Sequence, residues 1–270
     1  MHTVARITPT QKPTATVAAQ PSATAIAPAC AAPGHAGSAP ASDAPRRRIY
    51  LLRHGDVNYF DTNGNRVANP DTVLLTDRGH EQSRAAAEWF CAMRVTRFDR
   101  VITSDLPRTK QTARDLLDAM HLQEVPAESW PELRELRSGS RAALEALTPA
   151  ARDRAITAFA QPRVPADARL LGGESLAEAR ARILAALERL RGQAWDTALI
   201  VAHSLVNEVI LSEALTNADE MYGRLEQGTG CINILDMGPG PGEWVVRAIN
   251  VCPDTSLYWT RQSVLERLRR

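Results

Sequence analysis

From residue 46 onward the chain alternates short apolar runs, rich in β-branched residues, with segments of helical periodicity. Three of the runs are Arg48–Leu52, Arg100–Thr103 and Ala198–Ala202. Each is almost continuously apolar, as expected for strands that are covered on both faces of a sheet. This alternation is typical of α/β proteins. The sequence therefore predicts an α/β fold with a mainly parallel sheet, in which these three runs are central strands.

Two segments carry apolar residues at the i, i+3, i+4, i+7 spacing of an amphipathic helix. The residues predicted to face the core are Ala86, Trp89, Phe90 and Met93 in one segment and Ala113, Leu116, Leu117 and Met120 in the other. Thr76 is a suitable N-cap for the first helix. Ser175 and Glu178 have the spacing of a capping box that opens a third helix, and a fourth is predicted to begin near Ser204.

The two ends of the chain differ in composition. Near the C-terminus, the runs Cys231–Asp236 and Glu243–Ile249 flank a glycine-proline segment, which predicts a hairpin that extends the sheet. The first 45 residues hold 14 Ala, 7 Pro and 6 Thr, with Asp43 as the only acid. So few large apolar side chains cannot offset chain entropy. We expect a disordered tail over residues 1–45 and a single folded domain over residues 46–270.

Charge and cysteine content exclude several classes of function. The chain has 32 Lys+Arg against 31 Asp+Glu, so it has no overall field that would attract nucleic acid or an anionic membrane. No apolar run approaches the 18 or so residues of a membrane span. The four cysteines, at positions 30, 91, 231 and 252, have no metal-ligand spacing. The sequence favours a cytoplasmic protein in a reducing compartment, with no metal, cofactor, nucleic-acid or membrane partner, and gives no indication of oligomeric state.

Chemically active residues follow the predicted central strands. His54 and His203 are the two of six histidines that come directly after such a strand, and Arg53 and Arg108 lie at or just beyond strand ends. Ligands of open α/β sheets bind beyond the carboxyl ends of the strands, so we expect these four side chains to share one pocket. Arginine forks and imidazoles suit a phosphoryl group. A neutral His54 is a candidate nucleophile that would form a phosphohistidine.

A departing alkoxide needs a proton, and Glu132 and Glu135 are loop acids that can supply it. Two readings stay open for Glu135, which either acts as this acid or pairs with Arg134 or Arg137 on a solvated loop. Asp56 is either a turn residue or a pocket acid. The loop side chains Tyr59, Phe60 and Arg66 either close over a substrate or pack against the sheet edge.

Five segments together resemble the histidine phosphatase superfamily, in its phosphoglycerate mutase-like branch. In chain order they are Arg53-His54-Gly55, Ser104–Ala113, Leu133–Leu136, Gly172–Leu176 and Val201–His203. The resemblance implies a three-layer α/β/α sandwich of the phosphoglycerate mutase-like type. It also implies that His54 is phosphorylated, that Arg53, Arg108 and His203 bind the phosphoryl group, and that Glu135 is the proton donor. Ser204, which replaces the family's usual glycine, is expected to help bind the substrate.

Departures from the family pattern limit what the resemblance implies. After Glu135, relatives often carry Gly-Trp-Glu-Gly, where this chain has Arg137-Ser-Gly-Ser-Arg141. The Trp-Asn pair that follows the first triplet in the mutases is absent from Asp56–Phe60. The expected function is therefore a metal-independent phosphomonoesterase that acts on a small phosphate ester. The alternatives are a phosphomutase and a non-catalytic regulator that binds a phosphorylated ligand.

Overall fold

The computed structural model describes residues 46–254, apart from positions 62, 66, 141, 143–144 and 217–220. The predicted tail over residues 1–45 and the side chain of Arg66 lie outside the described residues. The strands are β1 (Arg47–Arg53), β2 (Arg100–Thr103), β3 (Ala127–Ser129), β4 (Thr197–Ala202), β5 (Ile232–Met237) and β6 (Trp244–Val251). The helices are α1 (Asp77–Ala92), α2 (Pro107–Ala119), α3 (Pro149–Thr157), α4 (Leu176–Arg191) and α5 (Ser204–Thr216). Single-turn 3-10 helices cover Pro70–Thr72, Pro131–Leu133, Ala158–Ala160 and Leu170–Gly172.

The strands form one mixed sheet in the order β3-β2-β4-β1-β5-β6. The first four strands of that order pair in parallel, whereas β5 and β6 form the predicted antiparallel hairpin. The three strands predicted to be central, β1, β2 and β4, are all internal. The prediction of a mainly parallel sheet is thereby confirmed, and β3, which the sequence analysis missed, is a three-residue edge strand.

Side chains of β1 point alternately into two cores on opposite faces of the sheet, as strand geometry requires. Ile49 and Leu51 lie in a core shared with α4 and α5, and Tyr50 and Leu52 lie in a second core shared with α1 and α2. Helices therefore cover both faces, which confirms the three-layer α/β/α sandwich. None of the described helices combines the length and apolar character that a membrane span requires.

Helix starts follow the predicted caps. The Thr76 hydroxyl accepts a hydrogen bond from Gly79 N–H at 3.1 Å and begins α1. Ser175 and Glu178 form the reciprocal capping box of α4. The prediction that Met93 faces the core is wrong, because α1 ends at Ala92 and the side chain of Met93 is 57% exposed. Arg94 adopts a left-handed φ of 59°, as is common for the residue that follows a helix C-cap, so the helical spacing is not continued beyond this point.

Candidate active site

Two paired strands bring His54 and His203 together. Arg53 ends β1 opposite Ala202, which ends β4, and His54 N–H donates to the Ala202 carbonyl at 3.1 Å. Each histidine therefore begins the loop beyond its strand at the same level of the sheet. Their ring centroids are 5.2 Å apart. Arg108 comes from the first turn of α2, just beyond β2, which is the other neighbour of β4.

The ring of His54 is held in one tautomer. Its Nδ1 lies 2.7 Å from the Gly55 carbonyl oxygen. A carbonyl can only accept, so Nδ1 carries the proton and Nε2 carries the free lone pair. Burial lowers the pKa of His54 well below 6.5, and the positive charges of Arg53 and Arg108 lower it further. His54 is consequently a neutral imidazole with an unprotonated Nε2 at neutral pH.

The cationic side chains around His54 are buried and only partly paired. Arg53 donates through Nη1 to the Gln227 carbonyl, and Arg108 donates through Nη1 to the Pro70 carbonyl at 3.0 Å. Within the described residues, Nε of both arginines and both ring nitrogens of His203 are buried without a hydrogen-bond partner. Such orphaned groups are rare in native proteins. Burial lowers the pKa of His203, so its ring is neutral and supplies one N–H donor. This donor and the two guanidinium N–H groups, beside the imidazole of His54, fit an anion that has several oxygens.

Glu135 approaches this cluster from the segment Trp130–Arg137, which we call the acid loop. The side chain is half-buried. Its Oε1 accepts from Leu136 N–H at 3.0 Å, and its Oε2 accepts from Leu205 N–H at 3.4 Å, at the start of α5. Burial raises the pKa of Glu135, against the opposing effect of Arg108 and Arg53. A larger fraction of this carboxyl is therefore protonated near neutral pH than in an exposed glutamate.

The other candidate acids have local structural partners. Glu132 pairs with Arg189 at 2.8 Å, and this hydrogen bond holds the pKa of Glu132 below its ordinary value. Asp56 accepts a hydrogen bond from the Thr76 hydroxyl at 2.8 Å, so it acts as a turn residue before α1. Glu135 is thus the acid of the three that combines burial beside the cluster with a raised pKa.

The arginines that could have neutralised Glu135 pair elsewhere. Arg134 forms a two-pronged ion pair with Asp105, at 2.6 and 2.7 Å, and Arg137 lies 3.5 Å from the carboxylate of Glu174. The reading in which Glu135 pairs with Arg134 or Arg137 on a solvated loop therefore does not describe this structure.

The sequence profile of the histidine phosphatase superfamily (branch 1) matches residues 49–251. The chain belongs to this superfamily. A probable phosphoglycerate mutase (GpmB) of Yersinia enterocolitica is 30% identical to this chain over 211 residues, which cover 74% of the chain and 91% of the relative. The 2-carboxy-D-arabinitol-1-phosphatase of Triticum aestivum is 26% identical over 200 residues, which cover 74% of the chain but only 39% of that longer protein.

A solved structure confirms the phosphoglycerate mutase-like fold of this chain. The phosphoglycerate mutase of Bacillus anthracis superposes with a TM-score of 0.57 at 18% identity, over 78% of this chain and 95% of that one. The fold and family predicted from the five motifs are both confirmed.

Sequence reasoning missed a buried acid close to Glu135. Glu208, one turn into α5, is 7% exposed and accepts a hydrogen bond from the Ser204 hydroxyl at 3.1 Å. Burial raises the pKa of Glu208 well above its ordinary value, and the charge of Glu135 adds to the rise. The available signal was an isolated acid inside the apolar stretch Leu205–Leu211. Ser204, predicted to bind substrate, is engaged with Glu208.

A buried amide network supports Arg53 from behind. Gln227, whose carbonyl accepts from Arg53, receives hydrogen bonds on its side-chain oxygen from Asn207 at 3.3 Å and Asn233 at 2.7 Å. Asn233 in turn donates to the Leu51 carbonyl of β1 at 3.0 Å. The network therefore ties the position of the Arg53 guanidinium to the sheet.

Two further expectations concern the surroundings of the site. The side chain of Phe60, in the loop after the first triplet, is 47% exposed. In the part of the chain that the structure describes, no three His, Cys, Asp or Glu side chains come together as a metal site.

Proposed function

We propose that this histidine phosphatase hydrolyses phosphate monoesters of small molecules through a phosphohistidine on His54. One observation carries the proposal: unpaired, buried donors of Arg53, Arg108 and His203 surround a neutral imidazole whose Nε2 lone pair is free. Charge-assisted hydrogen bonds to a phosphoryl dianion would stabilise the complex by about 1.5–3 kcal/mol each.

In the first step, Nε2 of His54 attacks phosphorus in line with the leaving oxygen. The P–N bond forms while the P–O bond to the alcohol breaks, and the bonding electrons leave with the oxygen. Glu135 donates its proton to that oxygen, which contributes roughly 10²- to 10⁴-fold to the rate. The raised pKa of Glu135 supports this role, because the acid must be protonated when the ester binds.

In the second step, water attacks the phosphohistidine. The carboxylate of Glu135 accepts a proton from this water, the P–N bond breaks, and its electrons return to Nε2 of His54. Inorganic phosphate leaves, and both residues regain their starting protonation states. The N–H at Nδ1 of His54 keeps its hydrogen bond to the Gly55 carbonyl in both steps, so the ring keeps its orientation.

A phosphomutase is the second candidate, and the 30% identity to a probable phosphoglycerate mutase favours it. A mutase would pass the phosphoryl group from His54 to an acceptor alcohol instead of water. The absence of the Trp-Asn pair after the first triplet favours hydrolysis. A non-catalytic phospholigand-binding protein is a third candidate, which the altered stretch after Glu135 permits.

A chromogenic aryl phosphate assay in the presence of EDTA tests the proposal. We expect turnover by the unmodified chain and none by His54→Ala. His80→Ala is the matched control, because His80 pairs with Asp115 between α1 and α2, outside the cluster. Absence of turnover by the unmodified chain, or full turnover by His54→Ala, would refute hydrolysis through His54.

Two further assays separate the alternatives. An acid-labile phosphoryl label on the unmodified chain, absent from His54→Ala, would exclude the non-catalytic reading. Formation of 2-phosphoglycerate from 3-phosphoglycerate and bisphosphoglycerate, faster than release of inorganic phosphate, would instead identify a mutase.

A further inference from the structure

The position of the Glu135 carboxyl depends on the path of the acid loop. Of the acid loop's residues, Pro131–Leu133 form a single 3-10 turn, and Glu135 itself lies in no helix or strand. One of its oxygens is bonded to the N–H of the next residue, Leu136. A shift of this backbone would therefore carry the carboxyl with it.

Arg182 of α4 holds the acid loop on the N-terminal side of Glu135. Its Nη1 donates to two main-chain carbonyls, those of Glu132 at 2.6 Å and of Arg134 at 2.8 Å. Its Nε and Nη2 donate to the two carboxylate oxygens of Glu174, at 2.8 and 2.9 Å. One planar guanidinium thus joins the acid loop to the residue that precedes the cap of α4.

Glu174 holds the acid loop on the C-terminal side of Glu135. Its Oε2 accepts from Arg137 N–H at 3.0 Å, and its own N–H donates to the Arg137 carbonyl at 2.8 Å. The Glu174 side chain is 1% exposed. Burial alone would raise the pKa of Glu174, but the hydrogen bonds from Arg182 and from Arg137 N–H outweigh burial and lower it. The carboxylate therefore stays ionised and keeps its partners.

The backbone beside the Arg182–Glu174 ion pair is tightly packed. A methyl group added to Gly173 would lie 2.3 Å from the Arg137 carbonyl oxygen, so the two backbones touch directly. Gly172–Leu176 is the fourth of the family-like segments, and it contains Ser175, the cap of α4. The contacts of Glu174 are additional to that cap.

We propose that Arg182 and Glu174 are positioning residues that place Glu135 for proton donation to the leaving group. The inference rests on the proposed phosphatase function. Neither side chain touches the reacting atoms in this scheme; each acts through the backbone that flanks Glu135. Because misplacing a catalytic group by about 1 Å costs roughly 10²-fold, the pair should control the proton-transfer step selectively.

Leaving-group dependence tests the proposal, because a purely structural role would not alter it. Two substrates are compared by kcat/KM: 2,4-dinitrophenyl phosphate, whose leaving group departs as a stable anion, and benzyl phosphate, whose alkoxide must be protonated. We expect Arg182→Gln and Glu174→Gln to lose roughly 10- to 100-fold on benzyl phosphate and less than about threefold on the activated ester. Glu135→Gln should show the same selectivity with a larger loss.

A double-substitution cycle adds a second readout. If Arg182 acts through Glu135, then Arg182→Gln should cost little more on benzyl phosphate once Glu135→Gln is present, because the two effects are not independent. Arg182→Lys keeps the positive charge but loses the planar set of guanidinium donors. It replaces Arg182→Gln in the assay if that variant does not fold, and it should show the same leaving-group selectivity.

Arg191→Gln is the matched control. Arg191 lies on the same helix and also donates to two backbone carbonyls, those of Gly238 and Gly240, but these belong to the hairpin connection. We expect no leaving-group selectivity from this control. Equal losses on both esters for the Arg182 and Glu174 variants, or full additivity with Glu135→Gln, would overturn the inference. If the unmodified chain turns over neither of the two esters, the proposed phosphatase function is refuted instead.

Discussion

His54 and His203 stand at the ends of two hydrogen-bonded strands, whereas Glu135 lies in a loop that side chains hold in place. We call Arg53, His54, Arg108 and His203 the phosphoryl half of the site, and the acid loop the acid half. The phosphoryl half takes its geometry from main-chain ladders between β1, β4 and β2, backed by two hydrophobic cores. A single substitution elsewhere can hardly move such strands.

The acid half is different, because a few charged side chains fix it. Arg134 ties it to Asp105, next to the Arg108 helix, and Arg182 with Glu174 ties it to the start of α4. Each tether is one side chain that a point mutation can remove. The two halves should therefore respond differently to substitution and to pH.

The largest expected effect comes from a side chain of the phosphoryl half. Arg53→Gln removes charge-assisted hydrogen bonds to the phosphoryl group and should lower kcat/KM by roughly 10- to 150-fold. The loss should be similar for 2,4-dinitrophenyl and benzyl phosphate, because the phosphoryl group is common to both. Arg48→Gln is the control on the same strand, since Arg48 pairs with Asp236 at the other end of β1. A loss confined to the benzyl ester would contradict the division into halves.

The pH profile of kcat/KM should show one limb from each half. On the acidic side, the rate falls where the phosphate ester takes up its second proton, at about pH 6 for an alkyl ester. It falls further below the lowered pKa of His54, where the imidazole becomes protonated and loses its nucleophilic lone pair. On the alkaline side, hydrolysis of benzyl phosphate should fall about tenfold per pH unit above the raised pKa of Glu135. The activated ester should lack this alkaline limb, and Glu135→Gln should remove it. An alkaline limb of equal steepness for both esters would argue against Glu135 as the acid.

Glu208 gives a stability prediction at the border of the two halves. The folded-state pKa of Glu208 lies above its unfolded value, so the folded chain binds the extra proton. Stability is then lost as pH rises from the unfolded pKa toward the folded one, by about 1.4 kcal/mol per pH unit. Glu208→Gln stays neutral, so its free energy of unfolding should exceed that of the unmodified chain by an amount that grows with pH.

Urea unfolding of both chains at pH 5, 6 and 7 measures this difference. Glu213→Gln, on the same helix, should instead lower the free energy of unfolding, because it breaks the ion pair with Arg180. A pH-independent difference between Glu208→Gln and the unmodified chain would show that Glu208 is ionised in the folded state.

Ser175→Ala should have the smallest effect. It removes the hydroxyl that caps α4 and should cost about 1 kcal/mol of stability, or roughly 2–4 °C in Tm. The contacts of the neighbouring Glu174 with the acid loop remain, so kcat/KM should stay unchanged on both esters. Thermal unfolding and the two assays check this, and a selective loss on benzyl phosphate would mean that the cap itself positions the acid loop.

The phosphoryl half was accessible from the sequence because each of its members lies at or just beyond the end of an apolar run. A buried parallel strand is a strong local signal, and its carboxyl end locates the ligand site. The same signal predicted the bounds of β1, β2 and β4 to within one residue at each end. β3 was not predicted, because three residues are too few to show a periodicity. The prediction for Met93 was wrong because nothing in the local sequence marks the end of α1, where Arg94 adopts a left-handed φ.

The tethers of the acid half were not accessible in this way. Glu174 and Arg182 are eight residues apart and meet only because Glu174 precedes the cap while Arg182 lies two turns into the helix. The backbone carbonyls that Arg182 binds belong to a segment about 50 residues earlier. Glu208 was not predicted as a buried acid, because its neighbours in α5 are mostly apolar and indicate only a core helix. Such partners depend on tertiary packing, which one sequence does not display.

The backbone at Gly139 lies directly against the backbone at Leu171 and Gly173. Gly139 N–H donates to the Leu170 carbonyl at 3.0 Å, and a methyl group on Gly139 would lie 2.2 Å from the Leu171 carbonyl oxygen. The residues that flank the segment 140–169 on its two sides are therefore in direct contact. Laboratory variation of that segment would have to keep Phe159, Val164 and Ala168, which are buried in the core shared with α4 and α5, and could change length or composition at exposed positions between them.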